Sequence, residues 1–287
     1  MKLIGALIHS HIYISLAAVS LTVSAQIQLG MKPQWHSYLF LIFFATLFEY
    51  NIHRLVTVLT NKEALNSEKY HWIRENLTEF YILVFISLAG FIGSVFLVKK
   101  EVLIAFAPLA ILTLFYSIPV FGNKKQLFRL REIPYLKIFL IAFVWSSATI
   151  LLPVIQSDEI FRTGHIVTML VERFFFIFAI AIPFDIRDME TDKNGGLKTI
   201  PHLINEKKAL AISYLSLLLF FLISFFHYQS QNEWFILVAL GLSALTTYLF
   251  LRSAKIRNTS WYHHGVLDGT LILQGFLVLV FYYLTHT

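Results

Sequence analysis

Residues 208–228 read KALAISYLSLLLFFLISFFHY, an apolar run of the length that a helix needs to cross the hydrocarbon core of a bilayer. Backbone amides in lipid must be hydrogen-bonded within their own segment, so such a run is predicted to be helical. Eight more runs of this kind lie at residues 3–25, 37–58, 78–98, 101–120, 134–155, 166–184, 233–252 and 264–284. The sequence therefore predicts an all-α, polytopic membrane protein with nine transmembrane helices in a single domain, residues 1–287.

The composition supports this class and excludes others. Hydrophobic residues make up 57% of the chain and charged residues only 14%, whereas a soluble domain is nearer half apolar and a quarter charged. The chain has no cysteine, which excludes disulfides and thiolate metal sites. The net charge of +6 is assigned to loops at the membrane surface rather than to a nucleic-acid surface. We expect the protein to contact membrane lipid and not to bind nucleic acid.

The basic residues also predict the orientation of the chain. Most Lys and Arg residues fall on one side of the predicted helices, together with the long polar loops 59–77, 121–133 and 185–207. Because cytoplasmic loops carry the excess of Lys and Arg, this side is predicted to be cytoplasmic. The N-terminus then lies in the cytoplasm, and an odd number of spans places the C-terminus outside.

Residues 184–201, which read FDIRDMETDKNGGLKTIP, carry the pattern that indicates chemistry. Asp185, Asp188 and Asp192 have the spacing i, i+3, i+7, which places them on one face if the preceding helix continues. Carboxylate oxygens suit Mg²⁺, which often bridges one or two carboxylates to substrate phosphates. In the alternative interpretation, this is a solvated loop whose acids pair with its own basic residues, Arg187, Lys193 and Lys198.

This motif, followed by the sequence KNGGLKTIP, resembles the second Asp-rich motif of the UbiA superfamily of intramembrane prenyltransferases. Tyr116-Ser117-Ile118-Pro119, the basic loop after it, and Ile133-Pro134-Tyr135-Leu136-Lys137 also resemble that family. The resemblance implies helices around a central cavity open to the cytoplasmic side. It further implies Mg²⁺-dependent transfer of a prenyl group from an isoprenoid diphosphate to a small hydrophobic acceptor, with an aromatic one favoured.

The resemblance also implies a set of site residues. Asp188 and Asp192 match the main pair of metal ligands, and Asp185 matches an additional acid. Basic and hydroxyl side chains that match or flank the diphosphate contacts are Tyr116, Lys124, Lys125, Arg129, Lys137 and Lys198.

The first Asp-rich motif of the family is replaced in this chain. Asn51 matches the Asn of that motif, but its three Asp positions hold Ile52, Leu55 and Leu59. In one interpretation, Arg54 and His53 contact the diphosphate directly and replace one Mg²⁺, because the Arg fork suits phosphate. In a second, the site has lost transfer chemistry. Arg54 is otherwise explained as a side chain that extends to the lipid headgroups from a helix end.

Three ionisable residues within predicted spans need explanation, because such residues are costly and usually face an interior cavity. Asp268, near the start of the last span, is predicted to orient the acceptor or to pair with Arg54. Glu172 and Arg173 are adjacent and cannot face each other on a helix, so each is expected to have another partner, in structural ion pairs.

Two rival functions remain open from the sequence. Cyclisation or hydrolysis of a prenyl diphosphate requires ionisation but no acceptor, and a reduced set of metal ligands would serve it. A non-catalytic lipid-binding protein or a transporter is the third possibility, although the paired Gly- or Pro-interrupted spans typical of transporters are not evident. The oligomeric state is left open.

Overall fold

The computed structural model describes residues 2–60, 71–118, 121–123, 126–190 and 199–286. The helices in this part of the chain are α1 Lys2–His9, α2 Ile12–Gln28, α3 Ser37–Thr60, α4 His71–Glu75, α5 Leu77–Val95, α6 Lys100–Ser117, α7 Leu136–Gln156, α8 Thr163–Arg187, α9 Ile200–Ile204, α10 Glu206–Gln229, α11 Trp234–Arg252, α12 Ala254–Arg257 and α13 Asp268–His286. Strands β1 Phe121–Asn123 and β2 Gln126–Phe128 form a short antiparallel hairpin after α6. A 3₁₀ turn, Leu130–Glu132, leads into α7, and a π turn, Tyr262–Leu267, leads into α13.

The all-α membrane architecture is confirmed. Eight helices in the described part of the chain are long and apolar enough to cross a membrane, and the last of them runs continuously from Tyr262 to His286. The count of nine is not confirmed, because the first predicted span, residues 3–25, is divided into α1 and α2. Helix α2 has 17 residues, and at 1.5 Å per residue it is about 5 Å shorter than a hydrocarbon core of roughly 30 Å.

The break between α1 and α2 lies at His11, whose φ of 63° is in the left-handed region. A non-glycine residue rarely adopts this conformation unless its surroundings stabilise it. Here the imidazole Nδ1 lies 3.1 Å from the Asn51 side-chain oxygen of α3. The Asn51 amide also donates to the Ser10 carbonyl at 3.3 Å, and Arg54 donates to the His9 carbonyl at 3.3 Å. Helix α3 thus binds the backbone oxygens that the break exposes.

The long helices alternate in direction, so that each end of the bundle gathers helix ends from several parts of the chain. One end carries Asp185 and Asp188 and is called the Asp-rich end. The other carries the start of α8 and the ends of α2, α7 and α10, and is called the far end. Helix α2 packs closely on α13: a Cβ atom added to Gly275 would lie 2.3 Å from the Ser20 carbonyl oxygen.

The far half of the bundle contains a buried polar network. Gln28, at the end of α2, donates to Glu172 Oε1 at 3.0 Å and accepts from Arg173 Nη2 at 2.6 Å. Arg173 also donates to the Leu21 carbonyl at 3.0 Å and to the Thr149 hydroxyl at 3.2 Å. The two adjacent charges of α8 therefore have different partners and are joined through Gln28.

Helix α10 completes this network on the side of Glu172. The carboxylate accepts from the Tyr228 hydroxyl at 2.9 Å and from the Ser224 hydroxyl at 3.1 Å, with His227 Nδ1 at 3.4 Å. Glu172 and Arg173 are 1% and 2% exposed. Because buried charges are tolerated only when their hydrogen-bonding groups are satisfied, this network fixes α2, α7, α8 and α10 relative to one another.

Candidate active site

The Asp-rich motif begins at the end of α8. Asp185 lies in the last turn of this helix, and Asp188 is the residue that ends it. The Asp185 carboxylate forms a salt bridge of 2.8 Å with Lys137 Nζ, which lies in the first turn of α7. Both residues are buried, at 2% and 8% exposure. The structure therefore brings together two predicted site residues that are almost fifty positions apart.

Asp188 is held by its neighbour Arg187 through two contacts. Arg187 Nε lies 2.7 Å from one carboxylate oxygen and Nη2 lies 3.1 Å from the other. The same guanidinium lies 3.0 Å from His264 Nε2, and His264 Nδ1 lies 3.4 Å from Asp268. A chain of contacting polar side chains thus connects the Asp-rich motif with the start of α13, where Asp268 was predicted to act.

The acids of the motif have the donor type that suits Mg²⁺, although further ligands would be needed to complete a site. Asp185 and Asp188 supply the hard carboxylate oxygens that Mg²⁺ prefers, and Mg²⁺ commonly uses only one or two carboxylates together with phosphate oxygens and waters. Within the described residues, no three His, Asp or Glu side chains converge in a way that would hold a metal without substrate. Asp192, the third predicted ligand, lies outside the described residues, as do Lys124, Lys125 and Lys198.

At the end of α3, next to the positions where the resemblance leads one to expect carboxylates, His53 contacts a basic group of another element. His53 Nε2 lies 2.8 Å from Arg131 Nη1, which belongs to the 3₁₀ turn before α7. The Arg131 guanidinium lies 5.9 Å from the centre of the Tyr116 ring, within the range of a cation–π contact. Tyr116 also lies within the electrostatic reach of Lys137 and Asp185. Residues of α3, the 3₁₀ turn, α7 and α8 therefore meet around Tyr116.

Three residues predicted to bind substrate have other contacts in the structure. Asn51 is fully buried and uses its side chain to hold Ser10 and His11 at the helix break. Arg54 is 8% exposed and donates to the His9 carbonyl, which differs from a side chain that extends to the headgroups. Arg129 contacts Glu132 of its own turn, with the side chains 3.8 Å apart.

Sequence reasoning missed Arg131 as a member of this site. The signal was present, since Arg131 lies in the basic loop between the two segments that resemble the family. What selects Arg131 rather than Arg129 is the 3₁₀ turn Leu130–Glu132. A turn of three residues directs successive side chains to different sides.

An apolar cavity of 310 Å³ lies between α2, α3, α5, α6 and α7. Its walls include Phe48, Phe91, Phe106 and Trp145. Glu49 is the one acidic side chain among the described residues that line it, and it accepts a hydrogen bond of 2.5 Å from Ser117, the residue after Tyr116. The cavity thus ends next to the polar groups that surround Tyr116.

Comparison with known proteins supports the same family. The model of the UbiA prenyltransferase family matches residues 73–261. No curated protein matches the chain. Several solved structures share the fold across nearly the whole chain, at low sequence identity.

A UbiA homologue from Aeropyrum pernix K1 in its apo form has 15% identity and a TM-score of 0.61, with 96% of this chain and 98% of that chain covered. A UbiA homologue from Archaeoglobus fulgidus has 18% identity and a TM-score of 0.62, with 93% and 96% covered. The Archaeoglobus fulgidus homologue bound to GPP and Mg²⁺ has 16% identity and a TM-score of 0.60, with 96% and 99% covered.

Proposed function

Because this chain belongs to the UbiA prenyltransferase family, we propose that it transfers a prenyl group from an isoprenoid diphosphate to a small hydrophobic acceptor within the membrane, with Mg²⁺. The observation that carries this proposal is the adjacency of two environments. The apolar cavity that ends at Glu49 adjoins a layer of paired acids and bases around Tyr116. A prenyl diphosphate has the same division, with an apolar chain and an anionic head. Solved homologues bound to GPP or DMAPP with Mg²⁺ support the choice of substrate.

The charge pairs of the Asp-rich end suggest how the diphosphate binds. The anionic head attracts Lys137 and Arg187, which at present contact Asp185 and Asp188. If these cations turned to phosphate oxygens, the two carboxylates, with Asp192, would be the residues that hold Mg²⁺. The chemistry supplied by a bound ion would be charge neutralisation of the departing diphosphate. Binding is therefore an exchange of partners in which no buried charge is left unpaired.

The basic groups on the opposite side would replace part of the missing metal site. Arg131 and His53 lie on separate elements and meet beside Tyr116, and Arg54 follows His53 on α3. Guanidinium groups bind phosphate through two parallel hydrogen bonds and remain charged. They would stabilise the negative charge that builds on the leaving oxygen. The apolar cavity would shield the allylic cation from water.

The replaced first motif also favours a second candidate function. With Ile52, Leu55 and Leu59 in place of acids, fewer metal ligands are present, and cyclisation or hydrolysis of the diphosphate requires ionisation without a bound acceptor. In both cases the protein spans the membrane several times, and we propose that the Asp-rich end and the N-terminus face the cytoplasm while the C-terminus lies outside. The excess of Lys and Arg on that side supports this orientation.

One experiment separates these functions. The purified protein is incubated with radiolabelled geranyl, farnesyl and geranylgeranyl diphosphates, with and without Mg²⁺, in the presence of a lipid extract from its host. Release of diphosphate together with a labelled lipid is expected for transfer, whereas a labelled hydrocarbon or alcohol indicates cyclisation or hydrolysis. Absence of turnover, with binding unchanged in Asp188→Ala, would exclude both enzymatic functions.

A further inference from the structure

We propose that Glu49 is a catalytic residue that takes up the proton released by the acceptor, and that the acceptor binds with its reactive group beside this carboxylate. The inference rests on the proposed prenyl transfer. It starts from the position of Glu49, which is the one acid among the described residues that line this mostly apolar cavity. A carboxyl group in apolar surroundings is costly unless it has a partner. The Ser117 hydroxyl is such a partner and donates to Oε1.

The chemistry of transfer requires such a group. The bond between C1 of the prenyl chain and the diphosphate oxygen breaks, and the diphosphate leaves with the electron pair. A new bond then forms between C1 and a nucleophilic oxygen or ring carbon of the acceptor. That atom loses its hydrogen as a proton, which the Glu49 carboxylate takes up. Atoms and charge balance without any further reactant.

The surroundings of Glu49 place it at the correct boundary for this role. Ser117 follows Tyr116, around which the proposed diphosphate contacts Arg131 and Lys137 gather. Tyr50, the next residue of α3, also lines the cavity and lies near Trp145. Glu49 therefore lies where the apolar cavity meets the polar layer, which is the level at which C1 of a bound prenyl diphosphate would react.

Electrostatics favour the acceptor over the diphosphate as the partner of Glu49. A carboxylate next to a diphosphate is repelled by it, whereas the cations Arg131 and Lys137 near Tyr116 attract it. A hydroxyl or phenol of the acceptor, in contrast, donates a hydrogen bond to a carboxylate and gains from a desolvated partner. The site would therefore select acceptors that carry such a donor and reject their methyl ethers.

The test compares Glu49→Gln with wild type, using radiolabelled geranyl diphosphate, Mg²⁺ and the host lipid extract. Glutamine keeps the shape and can accept from Ser117, but it takes up no proton. Product formation is expected to fall by about 100-fold or more, in line with the loss of a general base. The affinity for geranyl diphosphate, measured in the absence of acceptor, should stay within twofold of wild type. Glu101→Gln, an exposed acid on the same helix as Ser117, serves as the control.

Other results for the folded variant overturn the proposal, each for a different reason. Wild-type product formation in Glu49→Gln would show that no proton passes to this residue. Weaker binding of geranyl diphosphate would show that Glu49 acts on the diphosphate or on the fold. If Glu49→Gln does not fold, Glu49→Asp is the deciding variant, since it keeps the carboxylate and should retain more than a tenth of the activity. If wild type forms no labelled lipid from any diphosphate, the proposed transfer itself fails, and the role of Glu49 fails with it.

Discussion

The two ends of the bundle handle charge in opposite ways. At the far end, the charges of Glu172 and Arg173 are buried and contact mainly neutral groups of other helices, such as Gln28 and Tyr228. At the Asp-rich end, acids contact bases directly, and the pair Arg187–Asp188 keeps 28% and 23% of its side-chain surface exposed. A network in which buried donors and acceptors have fixed partners on other helices holds those helices in place. Ion pairs near solvent can exchange partners when an anion arrives.

The largest expected effect comes from breaking the far-end network. Arg173→Met removes the donors to Leu21, Thr149 and Gln28 and leaves Glu172 as a buried charge without its compensating cation. We expect a loss of about 3–5 kcal/mol in the free energy of unfolding. Unfolding in mixed micelles, followed by helical circular dichroism, measures it. The exposed Arg162→Met at the start of α8 is the control, and equal stability of the two variants would contradict a fixing role for the network.

The second prediction is a loss of activity without a loss of stability. Asp188→Asn removes a proposed Mg²⁺ ligand whose carboxylate is partly exposed, so the fold should be retained. Diphosphate release should decrease by about 100-fold or more, because the charge of the departing group loses its stabilisation. The matched control is Asp158→Asn at the far end, where the acid pairs with Lys99. Equal activity of both variants would remove Asp188 from the site.

The third prediction separates the effect on stability from the effect on substrate affinity at the buried pair of Lys137 and Asp185. The double variant Lys137→Gln with Asp185→Asn replaces the salt bridge by two neutral amides, so that no charge is left alone. Stability should therefore change little. The affinity for geranyl diphosphate, measured in EDTA so that the proposed Mg²⁺ ligand Asp185 does not contribute, should decrease by about 30-fold, or ~2 kcal/mol, because a charged hydrogen bond to phosphate is lost. Titration calorimetry measures this affinity. Unchanged affinity would show that Lys137 serves only to neutralise Asp185.

The smallest effect is expected at the basic group that replaces part of the missing motif. Arg131→Gln should weaken binding of geranyl diphosphate by about tenfold, or ~1.4 kcal/mol, and this loss should persist in EDTA because the contact does not pass through a metal. Arg252→Gln, an exposed cation at the end of α11, is the control. A loss seen only with Mg²⁺ present would contradict direct contact between Arg131 and the diphosphate.

Much of the fold was predictable because hydrophobic runs of membrane length leave few structural choices. The sequence also predicted that Lys137 and Asp185 lie at helix ends on the same side, but not that they form a salt bridge. The role of Asn51 was not predictable. It depends on the left-handed conformation of His11, which no local propensity indicates, and this break creates the backbone acceptors that Asn51 satisfies.

Glu49 and Arg131 show a second kind of limit. Both were visible as ionisable residues, but their importance depends on where their side chains point after the helices have packed. The importance of Glu49 depends on its position in a cavity formed by five helices. The importance of Arg131 depends on a single turn that directs its side chain toward His53 and Tyr116. Neither arrangement leaves a period or a motif in the sequence.

The broken first span has a consequence for how the chain enters the membrane during synthesis. The carbonyl oxygens of His9 and Ser10 are bound by Arg54 and Asn51, which lie 45 and 41 residues further along the chain. Until those residues leave the ribosome, these oxygens must stay hydrated, because lipid offers them no donor. The first segment is therefore expected to wait at the translocon and to enter the bilayer together with α3, as a helical hairpin.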